Sequence, residues 1–300
     1  MQQQDYRKYL KPEIVSKLKS MEMRARMVVE GFIAGLHKSP YHGFSVEFAE
    51  HRQYMPGDEI KHIDWKVFGK TDRFYVKQFE EETNLKSYLL LDASASMGYA
   101  SNGITKLQYA SYLAAALTYL MIKQRDAVGL LTFDHKIRKY LPPRSIKSYL
   151  HLILKEFEKL ESAEVTDVSS TFHEMAERID RRGLVVILSD LYDDPEKMML
   201  ALKHFRHKKH EVIVFHILDP FEINFSFKRE AIFKDLETGE EISTQPWHIQ
   251  REYQEKVKQF IENYKRQCRQ NQIDYVLINT EMDFDRALIE YMIKRKRIGG

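Results

Sequence analysis

Residues 89–97, Leu-Leu-Leu-Asp-Ala-Ser-Ala-Ser-Met, decide the fold. A short apolar strand ends there in Asp-x-Ser-x-Ser, and a helix-forming stretch follows at 106–123. In open α/β sheets, ligands bind at the carboxyl ends of the strands, where the loops converge. Asp92, Ser94 and Ser96 are hard oxygen donors, which suit Mg²⁺ or Mn²⁺. The pattern therefore indicates a strand-end metal site, although a serine-rich turn that caps the next helix would use the same residue types.

The composition bounds the class of protein. The chain has 300 residues, 43% of them hydrophobic, which is enough for one large α/β domain and an appendage or for two small domains. Its net charge of +3 is too small to favour nucleic acid as the main partner. No apolar run reaches the roughly 18 residues of a membrane span, and residues 1–5 do not resemble a signal peptide. Because Cys268 is the only cysteine, an intramolecular disulfide is impossible, and we expect a cytoplasmic location.

Beyond Ser87, apolar strands alternate with helical stretches. The predicted core strands are 88–91, 128–133, 184–188, 212–218 and 275–278. The predicted helices are 106–123, 145–160, 169–181, 195–207, 250–270 and 283–293, and 231–243 is predicted to be a hairpin. Such alternation is typical of an α/β fold in which a mainly parallel sheet is covered by helices on both faces.

The first 86 residues follow a different pattern. Apolar residues at three- and four-residue steps predict one amphipathic helix over 11–36. The stretch 45–82 is irregular, with a strand predicted at 73–79, and the acidic run 80–82 ends it. We therefore expect residues 1–86 to form an N-terminal helix and brace, and residues 87–300 to form the α/β domain.

A second carboxylate follows another core strand. The strand at 184–188 runs into Ser189 and Asp190, at the same sheet edge as Asp92, and Thr166 lies between the two strands in sequence. This arrangement resembles the metal-ion-dependent adhesion site of von Willebrand factor type A domains, over residues 87 to about 295. The resemblance implies a Rossmann-like, doubly wound sheet with the strand order 3-2-1-4-5-6.

The resemblance also implies roles for these side chains. Asp92 would hold Mg²⁺ or Mn²⁺ through water, and Ser94 and Ser96 would be direct ligands. Thr166 and Asp190 would be the remaining ligands from the protein. In that family a partner's carboxylate often fills the open position, so a site without its partner is expected to hold the ion weakly. The family usually has a glycine before the threonine, which this chain lacks, so Thr171 remains an alternative ligand.

The segment before the strand carries a more specific pattern. Its marked residues are Arg52, Tyr54, Pro56, Gly57, Asp58, Asp64 and Trp65. They resemble the Arg-x-Tyr-x-Pro-Gly-Asp and Ile-Asp-Trp motifs of the bacterial family catalogued as domain of unknown function 58. From the residue types, we expect a structural role, with Trp65 buried and Arg52 paired with a carboxylate. The resemblance implies an assembly or chaperone-like role with a MoxR-type AAA+ ATPase.

These patterns favour a non-enzymatic, Mg²⁺-dependent protein-interaction module. Its expected partner is a MoxR-type AAA+ ATPase or a client of that ATPase. The alternative is a metal-dependent hydrolase or phosphotransferase that uses the same strand-end site. A phosphatase of the haloacid-dehalogenase type needs an aspartate two residues after the first one, where this chain has Ser94. His135 is the nearest candidate base for a serine nucleophile, but we expect it to be a turn residue.

Overall fold

The computed structural model describes residues 11–36, 51–54, 65, 68–69, 72–77, 85–162, 169–227, 231–234, 236 and 241–299. The strands are β1 (His51–Gln53), β2 (Tyr75–Lys77), β3 (Lys86–Asp92), β4 (Ala127–Phe133), β5 (Ile137–Arg144), β6 (Leu184–Ser189), β7 (Glu211–Leu218), β8 (Ala231–Lys234), β9 (Glu241–Thr244) and β10 (Asp274–Asn279). Six of them form one sheet, and β1–β2 and β8–β9 form separate two-stranded sheets.

The main sheet has the order β10-β7-β6-β3-β4-β5. Neighbouring strands are parallel except at the β5 edge, which is antiparallel to β4. Numbered along the chain within this sheet, the order is 3-2-1-4-5-6, as predicted. The strand that ends in Asp92 is central, so the loop after it lies beside the loop after β6, at the carboxyl edge of the sheet.

Helices cover both faces of the sheet. They are α1 (Pro12–Ser16), α2 (Met21–Leu36), α3 (Lys106–Lys123), α4 (Lys147–Glu158), α5 (Ser169–Arg178), α6 (Pro195–His207), α7 (Pro220–Asn224), α8 (Pro246–Gln270) and α9 (Asp285–Gly299). None of the described helices has both the length and the apolarity that a membrane span requires. The predicted helices and the 231–243 hairpin are confirmed, with ends that differ by a few residues, whereas α7 was not predicted.

Alternate residues of β3 explain why both faces are covered. Leu89 and Leu91 point into one hydrophobic core, and Tyr88 and Leu90 point into the other. All four side chains are buried. A parallel strand that is apolar on both faces must be packed on both sides, which fixes β3 in the middle of the molecule.

The N-terminal helix differs from its prediction. Instead of one helix over 11–36, there are two, α1 and α2, separated by residues 17–20. Ser20 accepts a hydrogen bond from the Met23 amide at the start of α2, and Arg24 donates to the Leu18 carbonyl in the break. The helical spacing of apolar residues continues across the break, so periodicity alone could not reveal it. The division into 1–86 and 87–300 remains a prediction.

The brace segment is only partly described. Trp65 was predicted to be buried, and this is wrong, because it is 57% exposed. It packs edge-on against Phe68, which stacks on Phe74, and Tyr54 contacts Phe74 in turn. The tryptophan therefore belongs to a local aromatic cluster and is not an anchor in the main core. Pro56, Gly57, Asp58, Asp64 and the Arg52 side chain lie outside the described residues.

The two basic clusters of the sequence lie near helix ends. One spans 203–210, around the end of α6, and the other spans 294–297, in the last turns of α9. Lys294 bridges Glu211 at 2.7 Å and Asp274 at 2.8 Å, and Arg206 pairs with Glu211 at 3.0 Å. Cations near a helix C-terminus interact favourably with the helix dipole, so these clusters have a structural explanation.

We predict that Phe32→Ala lowers the free energy of unfolding by about 3–5 kcal/mol, because a buried aromatic side chain leaves a cavity. Phe32 is 3% exposed and lies in the same core as Leu113 of α3 and Ile153 of α4. Met23→Ala on the same helix is the control, since Met23 is 51% exposed. Urea denaturation of both variants measures the difference. Equal losses would show that α2 does not stabilise the sheet domain.

Candidate metal centre

Asp92 is the last residue of β3, and its carboxylate accepts hydrogen bonds from two serines. The Ser94 amide donates to Oδ1 at 2.8 Å, and the Ser189 hydroxyl donates to Oδ2 at 2.5 Å. Ser189 is the last residue of the adjacent strand β6, and Leu91 pairs with Leu188. The parallel register therefore brings the ends of both strands, and the side chains that follow them, to one point.

Ser94 and Ser96 face the same point from the loop after β3. Their hydroxyl oxygens are 3.1 Å apart, and the Ser94 hydroxyl also hydrogen-bonds to the Asp92 carboxylate. Ser96 begins a short 3-10 turn, Ser96–Gly98. The predicted grouping of Asp92, Ser94 and Ser96 is thus present, with hydroxyls and a carboxylate close together.

Asp190 follows β6 in a sharply bent corner. Leu191 has a φ of 55°, which is uncommon for a branched side chain. The Leu191 amide donates to the Ser189 hydroxyl at 2.9 Å, and the Tyr192 amide donates to Asp190 Oδ1 at 3.3 Å. Tyr264 donates to the Leu191 carbonyl at 3.3 Å. Strained backbone of this kind persists where its surroundings hold it in place, and it is common at functional sites.

His216 holds the same corner from the next strand, β7. Its Nε2 is 2.8 Å from the Asp190 carbonyl, which can only accept, and its Nδ1 is 2.5 Å from the Tyr275 hydroxyl. The carbonyl requires a proton on Nε2, and the Tyr275 hydroxyl can donate to Nδ1 when the ring is neutral. Burial lowers the pKa of His216 to about 4, so the imidazole stays neutral at physiological pH.

Lys106 is the residue that sequence reasoning missed. It is the first residue of α3, a helix that the Thr105 side chain caps, and it is fully buried. Its ammonium donates to Asp190 Oδ2 at 2.7 Å and to Glu222 Oε1 at 2.6 Å. It also lies over the Tyr192 ring, 4.9 Å from the centroid. Burial lowers the pKa of Lys106, but the two carboxylates outweigh this effect and raise it, so the ammonium remains charged.

The buried charges at the site do not balance. Three carboxylates are buried or mostly buried here, those of Asp92, Asp190 and Glu222, and the ammonium of Lys106 pairs with the last two. With all three ionised, the net charge is −3 + 1 = −2. Burial, together with the charge of Asp190, raises the pKa of Asp92 to about 7. Burial also raises the pKa of Glu222. The sum of −2 is therefore the formal charge of the fully ionised site, which protons partly neutralise near neutral pH and which a divalent cation would neutralise in their place.

The oxygen atoms of the site suit a hard cation if the serine hydroxyls are ligands together with the carboxylates. Within the described residues, no three His, Cys, Asp or Glu side chains are placed to hold a metal ion. An ion here would rest on the Asp92 and Asp190 carboxylates and on the Ser94 and Ser96 hydroxyls. Oxygen donors of this kind fit Mg²⁺ or Mn²⁺.

Two threonines, Thr166 and Thr171, are candidates for a further ligand. Thr166 lies outside the described residues. Thr171, the alternative, is buried, and its hydroxyl has no hydrogen-bond partner within the described part of the chain. Its neighbour Phe172 packs edge-on against Phe133, which pairs with Asp92. The first turn of α5 is therefore near the carboxyl edge of the sheet, and either threonine remains a candidate.

The site is nearly closed to solvent. Asp92, Ser94 and Asp190 are 1–2% exposed and Ser96 is 8% exposed. Lys106 lies against Asp190 and the Tyr192 ring and fills the space beside the carboxylate. Only the Ser96 side of the site reaches solvent.

His135 lies in the β4–β5 turn, as expected. Its side chain is half exposed, and its Nδ1 is 3.1 Å from the Asp134 carboxylate, which Arg138 also binds. The partner of His135 is therefore a turn carboxylate beside it in sequence. This geometry gives His135 no role at the serines.

We predict that His216 makes the fold sensitive to acid. The pKa of folded His216 is about 4, against about 6.5 in an unfolded chain, so the unfolded state binds the extra proton between these values. Stability from this group is present above pH 6.5 and is lost as the pH falls towards 4, by about 2 kcal/mol between pH 7 and pH 5. Asp92 has a raised pKa, so its protonation stabilises the folded state as the pH falls over this range and opposes the effect of His216.

The prediction is therefore tested by comparing the pH dependence of His216→Gln with that of the wild type. In urea denaturation with EDTA at pH 7 and pH 5, His216→Gln should lose less stability than the wild type, by about 2 kcal/mol. His135→Gln controls for the removal of an exposed imidazole. A wild-type pH dependence in His216→Gln would show that the buried ring does not carry the effect.

The chain has relatives with sequence or structural similarity. Uncharacterized protein Rv1480 of Mycobacterium tuberculosis and uncharacterized protein Mb1516 of Mycobacterium bovis are each 26% identical over 231 residues, covering 76% of this chain and 72% of the relative. A crystal structure of BatB, a conserved hypothetical protein from Bacteroides thetaiotaomicron, has 16% identity and a TM-score of 0.46, covering 71% of this chain and 98% of that chain.

A second solved structure is an aerotolerance-related membrane protein from Bacteroides fragilis. It has 17% identity and a TM-score of 0.45, and the match covers 70% of this chain and 99% of that chain. The family model described as "Protein of unknown function DUF58" matches residues 50–263, a span that includes β1 to β7 and the whole candidate metal centre. The chain therefore belongs to the DUF58 family.

Proposed function

We propose that the protein is a non-enzymatic interaction module whose strand-end site binds Mg²⁺ or Mn²⁺. The observation that carries the proposal is the group of three buried or mostly buried carboxylates, Asp92, Asp190 and Glu222, with one ammonium, that of Lys106, which gives a formal charge of −2 when all are ionised. A buried excess of charge is costly unless it is compensated. When bound, the ion would supply that compensation and an acceptor position for one more oxygen ligand, as in type A adhesion sites.

The additional oxygen ligand would come from a protein partner. Ser96 is the most exposed of the four described ligand candidates, so a partner's carboxylate would approach from the 3-10 turn Ser96–Gly98. The resemblance of the sequence motifs to MoxR-associated proteins supports a MoxR-type AAA+ ATPase, or a client of that ATPase, as this partner. The role would be one of assembly or chaperone-like work.

A metal-dependent hydrolase is the second candidate, and the site offers it little. Ser94 is 2% exposed and its hydroxyl is bonded to Ser96 and Asp92. A general base must lie within hydrogen-bond reach of the nucleophile. The group in reach of Ser94 is the Asp92 carboxylate, which the metal site uses as a ligand, and the imidazole of His216 is engaged by Asp190 and Tyr275.

We predict that Asp92→Asn abolishes stabilisation by Mg²⁺. At about 100 times its dissociation constant, Mg²⁺ should stabilise the wild type by about 2.7 kcal/mol, and the variant should not respond. In EDTA the variant should be at least as stable as the wild type, because the substitution removes a buried charge next to Asp190. Thermal unfolding with and without Mg²⁺ measures both effects.

Asp134→Asn is the matched control for this measurement. Asp134 is as buried as Asp92, at 2% exposure, but it pairs with Arg138. Its substitution should destabilise the protein and leave the response to Mg²⁺ intact. A wild type that is indifferent to Mg²⁺, or an Asp92→Asn variant that keeps the response, would overturn the metal site.

We predict that binding to the MoxR-type ATPase of the source organism requires Mg²⁺. The interaction should be lost in EDTA and in Asp190→Asn, because each change removes part of the ion's shell. Biolayer interferometry with the purified ATPase is the measurement, and Asp134→Asn should bind normally.

The same preparations separate the module from the enzyme. No hydrolysis of phosphate or acyl esters is expected with Mg²⁺. Turnover that depends on Mg²⁺ and is lost in Ser94→Ala would favour the hydrolase. If EDTA does not change ATPase binding, the metal ion has no part in the interaction.

A further inference from the structure

A buried lysine contacts the strand-end carboxylate of the candidate metal centre. Lys106 is fully buried, and its ammonium lies 2.7 Å from Asp190 Oδ2. The other oxygen of Asp190 accepts from the Tyr192 amide. Both oxygens of this carboxylate therefore have donors before any metal ion is bound. A cation that uses Asp190 as a ligand must share it with the ammonium.

Glu222 gives the same ammonium a second partner. Its Oε1 lies 2.6 Å from Lys106 Nζ, and its Oε2 accepts from the Asp219 amide in the capping box of α7. Asp219 accepts a hydrogen bond from the Ser101 amide, which ties α7 to the loop after β3. The carboxylate of Glu222 is thus held in place independently of Asp190. Lys106 would keep a fixed, charge-matched partner if Asp190 turned towards an ion.

From this geometry we propose that Lys106 is the intramolecular competitor of the metal ion for Asp190 and sets the affinity of the site for divalent cations. Glu222 is the carboxylate that retains the ammonium when the ion takes Asp190. This inference rests on the proposed metal site and assigns to Lys106 and Glu222 a role in it. A competing positive charge so close to a ligand weakens the binding of a divalent ion.

A charge-matched double variant tests the proposal. In the wild type, Asp92, Asp190, Glu222 and Lys106 sum to −3 + 1 = −2. In Lys106→Met/Glu222→Gln, only Asp92 and Asp190 remain charged, and the sum is again −2. If net charge alone sets the affinity, both proteins bind Mg²⁺ equally. If Lys106 competes for Asp190, the double variant binds Mg²⁺ tighter, by about tenfold or more.

Isothermal titration of the full chain with MgCl₂ gives the result directly, and circular dichroism reports the fold of each variant. Should the methionine variant unfold, Lys106→Gln/Glu222→Gln has the same net charge and keeps a neutral donor near Asp190, with the same expected gain. Equal affinity of the wild type and a folded double variant would overturn the role of Lys106 and leave the metal site standing. Absence of Mg²⁺ binding by both would overturn the metal site and this inference together.

Discussion

Two carboxylates buried at neighbouring strand ends are the constraint on which the site depends. β3 and β6 are adjacent and parallel, so Asp92 and Asp190 emerge at the same edge of the sheet. Burial, and after it the charge of Asp190, raises the pKa of Asp92 to about 7. The cost of burying these two carboxylates is partly offset by neighbouring groups. Ser94 and Ser189 donate hydrogen bonds to Asp92, and the ammonium of Lys106 pairs with Asp190.

The backbone around Asp190 is also held rigidly. Leu191 has a positive φ, and the bend that it makes is held by Ser189, His216 and Tyr264. A corner fixed in this manner keeps Asp190 directed at the site even where its charge is unfavourable. A rigid backbone corner and an excess of buried negative charge are both features expected of a cation-binding site.

Much of the fold and part of the site could be predicted from the sequence. Strands that are apolar on both faces and helices with apolar stripes have strong local patterns, and Asp-x-Ser-x-Ser directly after a strand predicts which side chains meet. Lys106 could not be predicted, because a lysine in the first turn of a helix is ordinarily exposed and its partner Glu222 is 116 residues away. Trp65 was placed wrongly, since its neighbours Phe68 and Phe74 form a cluster of their own at the surface.

The central claim is that the charge excess at Asp92 is a binding site for a divalent cation. Crystals of the protein soaked in MnCl₂ and measured at the manganese absorption edge test it most directly. The account predicts one anomalous peak in the crevice between the Asp92 carboxylate and the Ser94 and Ser96 hydroxyls, with metal–oxygen distances of roughly 2.0–2.3 Å. A map with no peak there, and an Asp92 that keeps only its bonds from Ser94 and Ser189, would contradict it.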